Sequence, residues 1–228
     1  FRQLFSVAER RGRRIDLEHI SFGTILGKDG KPLKTRSGDL PLLSDLLDDA
    51  VQAARQSSEG RSRLEREEER DALAELIGIS AIKFMELSHH RTSDYIFDLD
   101  KMVSMEGDTA PYLQYSYVRC RSIFAKLGED YVADGNDLEL RDDREVHLAR
   151  MLVRFGEMVP IVLEGFRPNL LTGYLLDLAR AYHSFFQSCP VLKSEGSVKN
   201  TRLALCELTA RVLRQGLRLL GIEVPERM

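Results

Sequence analysis

Basic side chains crowd a short glycine-flanked segment near the start of the chain. Lys28, Lys31, Lys34 and Arg36 lie within nine residues of the sequence GKDGKPLKTRSG at 27–38. Glycines give such a loop backbone freedom, and closely spaced cations neutralise the negative charge that develops on a leaving pyrophosphate. The spacing therefore suits a loop that closes over a triphosphate, although a solvated basic hairpin would show the same spacing. It is not a Walker loop, because no glycine is followed after four residues by Gly-Lys-Ser or Gly-Lys-Thr.

A second group of cations lies on the last predicted helix. Arg211, Arg214 and Arg218 recur at spacings of three and four, which places them on one helix face. There they could follow the phosphates of a nucleic acid. A solvated polar face would give the same spacing, so both interpretations stay open.

Histidines and cysteines form no recognisable pattern for metal binding or nucleophilic catalysis. His89 and His90 are adjacent and therefore point in different directions on a helix. Cys120, Cys189 and Cys206 are odd in number, far apart, and without a CxxC pair or a neighbouring histidine base. We therefore expect no metal site, no disulfide framework and no cysteine nucleophile.

The composition is that of a globular protein. The 228 residues allow one large domain or two modest ones, and 43% hydrophobic content excludes a disordered chain. No apolar run approaches the roughly 20 residues of a membrane helix. The net charge of −3 combines +5 over 1–38, −11 over 39–192 and +3 over 193–228. Basic ends could meet a polyanion at two places, but solvated helix faces give similar counts.

Two expectations concern the cellular context of the chain. The sequence has no secretory pattern, so we expect a protein of the reducing cytoplasm. The chain opens on Phe1 inside a helical pattern, and we therefore expect that a preceding segment has been cut away.

Mostly helical elements would position these residues. The segment 1–8 predicts an amphipathic helix ending near Gly12, and the alternation over 19–26 predicts a strand that leads into an Asp29–Gly30 turn. The sequence indicates no further strand. Helical apolar stripes then recur over 42–54, 61–77, 113–127, 148–159, 171–185 and 203–220. The fold class is therefore mainly α, with a helical bundle over about 110–228.

Local signals predict where several helices begin and end. Asp108, Asn169 and Asn200 are predicted N-terminal caps, and Gly221 is predicted to close the last helix. Pro160 is predicted to kink or stop the helix that contains 148–159.

Several stretches resemble, in the same order, the arginyl-tRNA synthetases, a family of class I aminoacyl-tRNA synthetases. HISFG at 19–23 and GKDGKPLKTRSGD at 27–39 resemble the end of the nucleotide-binding domain, with the basic segment as the class I signature loop, KMSKS. The resemblance continues in further stretches, which are LSHHRTSDYIFDLDKM at 87–102, GDTAPYLQYSYVR at 107–119, YLLDLARAYHSFF at 174–186 and RLALCELTARVLRQGLRLLGIEVPERM at 202–228. It covers nearly the whole chain.

The resemblance implies a division of the chain and a reaction. Residues 1–107 would be the last part of a Rossmann-type catalytic domain with a helical stem-contact region, and residues 108–228 a helical anticodon-binding domain. The family condenses arginine with ATP and transfers the arginyl group to the 2′-hydroxyl of the terminal adenosine of tRNA(Arg). Mg²⁺ is expected to accompany ATP, and a monomer is expected. The class I HIGH-type motif is absent from the 228 residues, so a tRNA-binding fragment without chemistry is the alternative.

The resemblance also implies roles for individual residues. Lys34 and Arg36 would stabilise the ATP phosphates during catalysis, while Ser37 stands where the general signature has its second lysine. The other expected ATP contacts are Phe22, Gly23, Lys28, Lys31, Thr35 and Ser37, of which Lys28 and Lys31 could instead serve the loop or the tRNA acceptor end. Phe186 and Met228 resemble positions on which anticodon bases stack. The alternatives are core positions for Phe22 and Phe186 and a frayed terminus for Met228.

Overall fold

Helices dominate the computed structural model, which describes residues 1–12, 15–32, 42–58, 64–128 and 138–228. In chain order the elements are α1 (Arg2–Arg10), β1 (Ile25–Leu26), α2 (Leu43–Ser58), α3 (Glu67–Ser88), β2 (Tyr95–Ile96), α4 (Leu99–Met102), α5 (Ala110–Leu127), α6 (Asp143–Val153), α7 (Phe155–Gly165), α8 (Pro168–Ser188) and α9 (Gly196–Leu219). The mainly helical fold class is confirmed. None of the described helices is both long and apolar enough to cross a membrane.

The apolar stripes of α5, α8 and α9 meet in one large core. Leu113, Leu175 and Leu213, one from each of these helices, are fully buried there together with Cys120 and Cys206. Burial of such stripes is the main favourable term in helix packing. The predicted bundle is therefore confirmed, with α6 and α7 packing mainly against α8.

A smaller core lies around α2, α3, β2 and α4, and α3 joins it to the large one. Ile77 and Ala81 of α3 are buried in the smaller core, while Phe84 is buried in the larger. The side-chain amide of Gln114, fully buried in α5, donates to the hydroxyl of Ser80 at 2.9 Å and to the carbonyl of Glu223 at 2.8 Å. These two hydrogen bonds tie α5 to α3 and to the segment after α9, and they add to the packing that α3 provides.

The strand predictions are wrong in two respects. The expected strand over 19–26 is reduced to β1, and β1 pairs in parallel with β2, a strand that the sequence did not indicate. Upstream of β1 the contacts are irregular, because the Gly23 N–H donates to the Arg91 carbonyl and the Thr24 N–H donates to the Asp94 carboxylate. These bonds replace a regular ladder, so the extended segment runs beside 91–94 without forming sheet.

The three predicted N-terminal caps are also wrong. Thr109, not Asp108, caps α5, and its hydroxyl oxygen accepts the N–H of Tyr112 at 3.2 Å. Asn169 lies inside α8, which begins one residue earlier, and Asn200 lies inside α9, which begins four residues earlier. The residues that precede the three helices are instead Thr109, Arg167 and Glu195, and of these only Thr109 makes a capping hydrogen bond with its side chain.

The predictions made for Pro160 and Gly221 have opposite outcomes. The predicted long helix breaks at Arg154, between α6 and α7, and Pro160 lies inside α7 instead of stopping it. Gly221 closes α9 as predicted: its φ is +68°, and the Ile222 N–H donates to the Leu217 carbonyl at 2.9 Å.

Candidate nucleotide and tRNA sites

The described part of the basic segment forms the predicted tight turn. The Gly30 N–H donates to the Gly27 carbonyl and the Gly27 N–H to the Lys31 carbonyl, both at 2.9 Å. Gly30 has a φ of +72°, the left-handed geometry that glycine adopts without strain, and the Asp29 carboxylate accepts the Lys31 N–H at 3.1 Å. The turn therefore presents its side chains from a fixed backbone.

The two described lysines of this segment have different surroundings. The Lys28 ammonium lies 3.3 Å from the Asp100 carboxylate and 3.4 Å from that of Asp98. Hydrogen bonds first to Asp100 and then to Asp98 raise the pKa of Lys28 above its ordinary value. Lys31 is exposed. The other expected phosphate contacts lie outside the described residues, and they are Lys34, Thr35, Arg36 and Ser37.

Phe22 and Gly23 border a cavity of about 760 Å³ at the start of β1. Phe22 is 88% exposed, so it is not part of a core within this chain. Gly23 lies so close to the backbone of Ser93 that a Cβ atom at residue 23 would be 2.2 Å from the Ser93 carbonyl oxygen. The cavity is lined by an aromatic ring, backbone edges and apolar side chains such as Leu43. This lining can accept a flat heterocycle.

The histidines beside this cavity make local hydrogen bonds. The His89 ring stacks on Tyr95 at 4.8 Å, and its Nδ1 lies 2.9 Å from the Met85 carbonyl oxygen. Burial, followed by a hydrogen bond to the Glu86 carboxylate, raises the pKa of Tyr95 above its usual range. The Nδ1 atom of His90 lies 2.9 Å from the hydroxyl of Thr92. Within the described ranges, no cluster of three or more His, Cys, Asp or Glu side chains could hold a metal.

Phe186 lies on α8 beneath an arginine of α5. The Arg119 guanidinium carbon is 4.8 Å from the centre of the Phe186 ring and 5.5 Å from that of Tyr115. An Arg119 N–H donates to His183 Nδ1 at 3.1 Å, and Tyr182 packs against Phe186 at 5.8 Å. Phe186 is half-buried. The Arg119 guanidinium thus lies over the Tyr115 and Phe186 rings in cation–π contact, and planar groups of this kind can stack with unpaired RNA bases.

Met228 lies on the other side of α5, in a cavity of about 900 Å³ between α5 and α9. Met228 is half-buried and packs against the smaller core, so the end of the chain is not frayed in this structure. Arg211 and Arg214 line the same cavity. The Glu207 carboxylate binds both Arg211, at 2.8 Å, and Arg121, at 3.0 Å.

The structure therefore divides the expected tRNA residues into two groups. Arg211, Arg214 and Met228 share the cavity between α5 and α9, whereas Phe186 and Arg218 are not among its lining residues. Arg211, Arg214 and Arg218 are all exposed, in agreement with the predicted polar face.

The sequence assigned no part in tRNA binding to Arg119 or Arg121, the α5 residues that contact Phe186 and Glu207. Tyr115 and Arg119 stand four residues apart on one helix face. That spacing was a usable signal for a stacked pair, but it does not indicate which residue of α8 lies beneath.

Comparisons with known proteins identify the two parts of the chain. A model described as "tRNA synthetases class I (R), catalytic domain" matches residues 1–99, and one described as "DALR anticodon binding domain" matches residues 113–228. Curated relatives named arginine–tRNA ligase, from Idiomarina loihiensis and Crocosphaera subtropica, are 44% and 45% identical over the whole chain. The chain spans 40% of the length of these relatives.

A solved structure agrees with this assignment. The Thermus thermophilus arginyl-tRNA synthetase matches 92% of the chain with a TM-score of 0.81 and 30% identity, and the match covers 35% of that protein. The resemblance seen in the sequence motifs is thus confirmed by two family models, by curated relatives and by a known fold. The chain belongs to the arginyl-tRNA synthetase family, of which it represents the C-terminal portion with part of a class I catalytic domain and a DALR anticodon-binding domain.

Proposed function

We propose that the protein containing this chain is an arginine–tRNA ligase, which activates arginine with ATP and transfers it to the 2′-hydroxyl of the terminal adenosine of tRNA(Arg). The observation that carries this proposal is the similarity over the full chain, at 44–45% identity, to enzymes of that name. Because the chain spans 40% of their length, we assign the reaction to the whole enzyme. We propose that this enzyme is a cytoplasmic monomer.

The same reasoning predicts that the 228 residues alone do not activate arginine. Arginine-dependent exchange of pyrophosphate into ATP is the direct assay. Exchange by the purified chain would contradict the assignment of the chemistry to the whole enzyme. Retained tRNA binding without exchange is the expected result.

We propose further that residues 1–107 serve ATP and the acceptor end and that residues 108–228 serve the anticodon. Gln114 supports a stable connection between these parts, since its buried amide bonds α3 as well as the segment after α9. The ion pair between Arg180 and Asp108 lies within the second part and holds its first residue against α8.

For ATP, we propose that Lys34 and Arg36 stabilise the negative charge on the leaving pyrophosphate, with Thr35 and Ser37 beside them. The support is positional, because the turn that precedes them follows the cavity at Phe22–Gly23 directly along the chain. That cavity offers the aromatic ring and backbone edges that an adenine requires.

The two described lysines then take different parts in ATP binding. Lys28 is held by two carboxylates and serves first to anchor the turn to α4, whereas Lys31 is exposed and free to face phosphate. We propose that Mg²⁺ accompanies the ATP phosphates. It would lower the charge repulsion between nucleotide and attacking carboxylate.

For tRNA, we propose two contact areas on either side of α5. Phe186 supports Arg119, whose guanidinium plane offers a stacking surface for an unpaired base. Arg211, Arg214 and Met228 share one cavity, in which two cations can meet phosphates while the methionine contacts an apolar base face. Arg218, exposed one turn further along α9, extends the basic face beyond that cavity.

The experiment for the ATP proposal is Lys34→Ala in the full-length enzyme. It should lower the rate of arginine activation with little change in tRNA affinity, because the lysine acts on charge that develops during the reaction. Lys193→Ala, an exposed cation of the helical part, is the control and should change neither quantity. Equal losses of activation and tRNA affinity on Lys34→Ala would assign that residue to tRNA binding instead.

The experiment for the tRNA proposal is a gel-shift titration of the chain against tRNA at several salt concentrations. Phe186→Leu keeps apolar volume but removes the ring, and should weaken binding roughly 5- to 150-fold, the equivalent of about 1–3 kcal/mol per stacked base. Arg214→Gln should lower the slope of log affinity against log salt by about one. Arg150→Gln, an exposed arginine of α6, should leave both unchanged. An absence of preference for tRNA over random RNA would contradict the proposal.

A further inference from the structure

His183 lies between an arginine of α5 and an amide of its own helix. An N–H group of the Arg119 guanidinium donates to its Nδ1 at 3.1 Å, and its Nε2 is 2.8 Å from the side-chain amide of Gln187. His183 and Gln187 stand four residues apart in α8 and therefore share one helix face. His183 is half-buried and Gln187 is exposed. The imidazole thus connects α5 to the surface of α8.

These two contacts select one form of the imidazole. A guanidinium keeps its charge and has only N–H donors, so Nδ1 of His183 has to accept. An imidazole that accepts at Nδ1 is neutral and carries its single ring proton on Nε2. The Gln187 carboxamide can accept a hydrogen bond from Nε2–H through its oxygen, because either end of the amide fits the same outline. A second ring proton is disfavoured, since it would place an N–H group and a like charge against Arg119.

A neutral acceptor affects an arginine differently from a carboxylate. The Arg119 guanidinium carbon lies 4.8 Å from the centre of the Phe186 ring, and a contact with a ring face constrains the distance of the cation more than its rotation. The hydrogen bond to His183 fixes that rotation, because hydrogen bonds are directional. Arg121 is instead held by the Glu207 carboxylate at 3.0 Å, which offsets its charge. His183 therefore orients Arg119 and leaves the positive charge available to RNA.

We propose that His183, in its neutral Nε2–H form, is a positioning residue for tRNA binding. It fixes the plane of Arg119 above Phe186, so that an unpaired RNA base can stack on the guanidinium, and Gln187 holds the ring proton on Nε2. This inference rests on the proposed binding of tRNA at Arg119 and Phe186, and it adds the residue that orients the arginine. The ligand is a base of a single-stranded RNA segment, because such bases expose the flat face on which a planar cation stacks.

The position of the ring proton of His183 is the first measurement. Nitrogen-15 NMR of the 228-residue chain at about pH 8, where an ordinary histidine is neutral, distinguishes a protonated from an unprotonated imidazole nitrogen. The signals of residue 183 are assigned through its backbone amide. We expect Nδ1 to be unprotonated, Nε2 to carry the proton, and a scalar coupling to join Nδ1 to a guanidinium nitrogen of Arg119, which only a direct hydrogen bond gives. The measurement uses the parent chain and does not depend on the folding of a variant.

Two substitutions at residue 183 separate the hydrogen bond from the volume of the side chain. His183→Leu introduces an apolar side chain of similar size without an acceptor for Arg119. It should weaken the binding of a tRNA(Arg) transcript in gel shifts roughly 3- to 10-fold, the effect of one lost hydrogen bond. His183→Asn places an amide oxygen close to the position of Nδ1 and should recover most of that loss. His147→Leu, at an exposed histidine of α6, is the control and should leave the affinity unchanged.

A double variant shows whether His183 acts through Arg119. Arg119→Met removes the guanidinium and should itself weaken the binding of tRNA. In that background His183→Leu should change the affinity by less than about twofold, because the side chain that His183 orients is no longer there. Circular dichroism at the temperature of the gel shifts checks that each variant is folded before affinities are compared.

Three results would overturn the proposal. The first is a native His183 ring that carries its proton on Nδ1 or shows no coupling to Arg119. The second is an equal loss of affinity with His183→Leu and His183→Asn, which would assign the residue to packing alone. The third is a full further loss from His183→Leu in the Arg119→Met background. A parent chain without preference for tRNA over random RNA would instead count against the proposed function, and the NMR measurement would still decide whether His183 orients Arg119.

Discussion

A fully buried carboxylate joins three parts of the helical domain. Glu145, in the first turn of α6, has no solvent exposure. Its Oε2 accepts the N–H groups of Arg141 at 2.7 Å and Asp142 at 3.1 Å, and its Oε1 accepts Arg202 Nε of α9 at 2.6 Å. The Arg202 side chain is only 13% exposed and also donates to the Pro190 carbonyl. One side chain thus fixes the start of α6, the loop before it and the side of α9.

Glu145→Gln should destabilise the protein by about 3–5 kcal/mol, the usual effect of removing one partner of a buried ion pair. The glutamine carbonyl can still accept the two backbone N–H groups, but its NH₂ group then faces the Arg202 Nε–H. Two donors meet, and the guanidinium is left buried without its counter-charge. At about 2–4 °C per kcal/mol for a chain of this size, the melting temperature should fall by roughly 6–20 °C.

Urea denaturation of the 228-residue chain, followed by circular dichroism, measures this loss. Arg202→Met should also be destabilising, and the double variant should lose about 2–3 kcal/mol less than the sum of the single variants, because the two side chains interact directly. Glu67→Gln is the control. It breaks an exposed pair with Arg55, 3.0 Å long, and should cost under about 1 kcal/mol. A Glu145→Gln variant within about 1 kcal/mol of the parent, or strictly additive single variants, would refute the reasoning.

Three further predictions concern burial, pH and glycine packing. Burial raises the pKa of the Cys120 thiol to about 12 and that of the Cys206 thiol well above its usual value. Iodoacetamide at pH 8 should therefore modify both cysteines only after the chain unfolds. Rapid modification of the native chain would contradict this prediction. A hydrogen bond from a backbone N–H at the start of α6 lowers the pKa of Asp142, so its charge stabilises the fold fully above the unfolded value of about 3.9 and less as the pH falls through the lower folded value. The difference in urea midpoint between the parent and Asp142→Asn should therefore be largest at pH 7 and shrink below pH 4, and a constant difference would argue against the charge. Gly78→Ala in α3 should destabilise by about 1–3 kcal/mol, because the new Cβ would lie 2.7 Å from the α2 backbone, whereas Gly173→Ala in α8 meets nothing within 4 Å and should stabilise by about 0.5–1 kcal/mol in the same assay.

The helices of the bundle were predictable because their apolar residues repeat over many turns. The stripe from Leu113 to Leu127 corresponds to α5, and the stripe from Leu203 to Leu220 lies in α9. An apolar repeat that extends over several turns identifies the same helix face many times. Strand β2 has only two residues, and its partner lies about 70 residues earlier in the chain. No local pattern can indicate so short a strand, since its existence depends on the backbone beside it.

The errors at helix starts have a related cause. Asn200 is a good cap residue, but the four residues before it join α9 because the loop ahead of α6 supports them. The Ser197 hydroxyl donates to the Glu139 carboxylate at 2.8 Å, and the Thr201 hydroxyl oxygen accepts the Glu139 N–H at 2.7 Å. Capping preference is worth about 1 kcal/mol, so a few tertiary bonds of this kind are enough to move a helix start by one turn.

The two proposed tRNA contact areas show what sequence spacing leaves undetermined at a binding site. Arg119 and Arg121 are two residues apart in α5, and side chains at that spacing point to different sides of a helix. Arg119 accordingly stacks on Phe186 of α8, while Arg121 binds Glu207 of α9. The resemblance that implied base-stacking positions for Phe186 and Met228 carries no information about the helix that lies between them. Since Arg119 lies in one proposed area and Arg121 beside the other, a tRNA that occupied both areas would pass α5, and substitution of either arginine tests one area separately from the other.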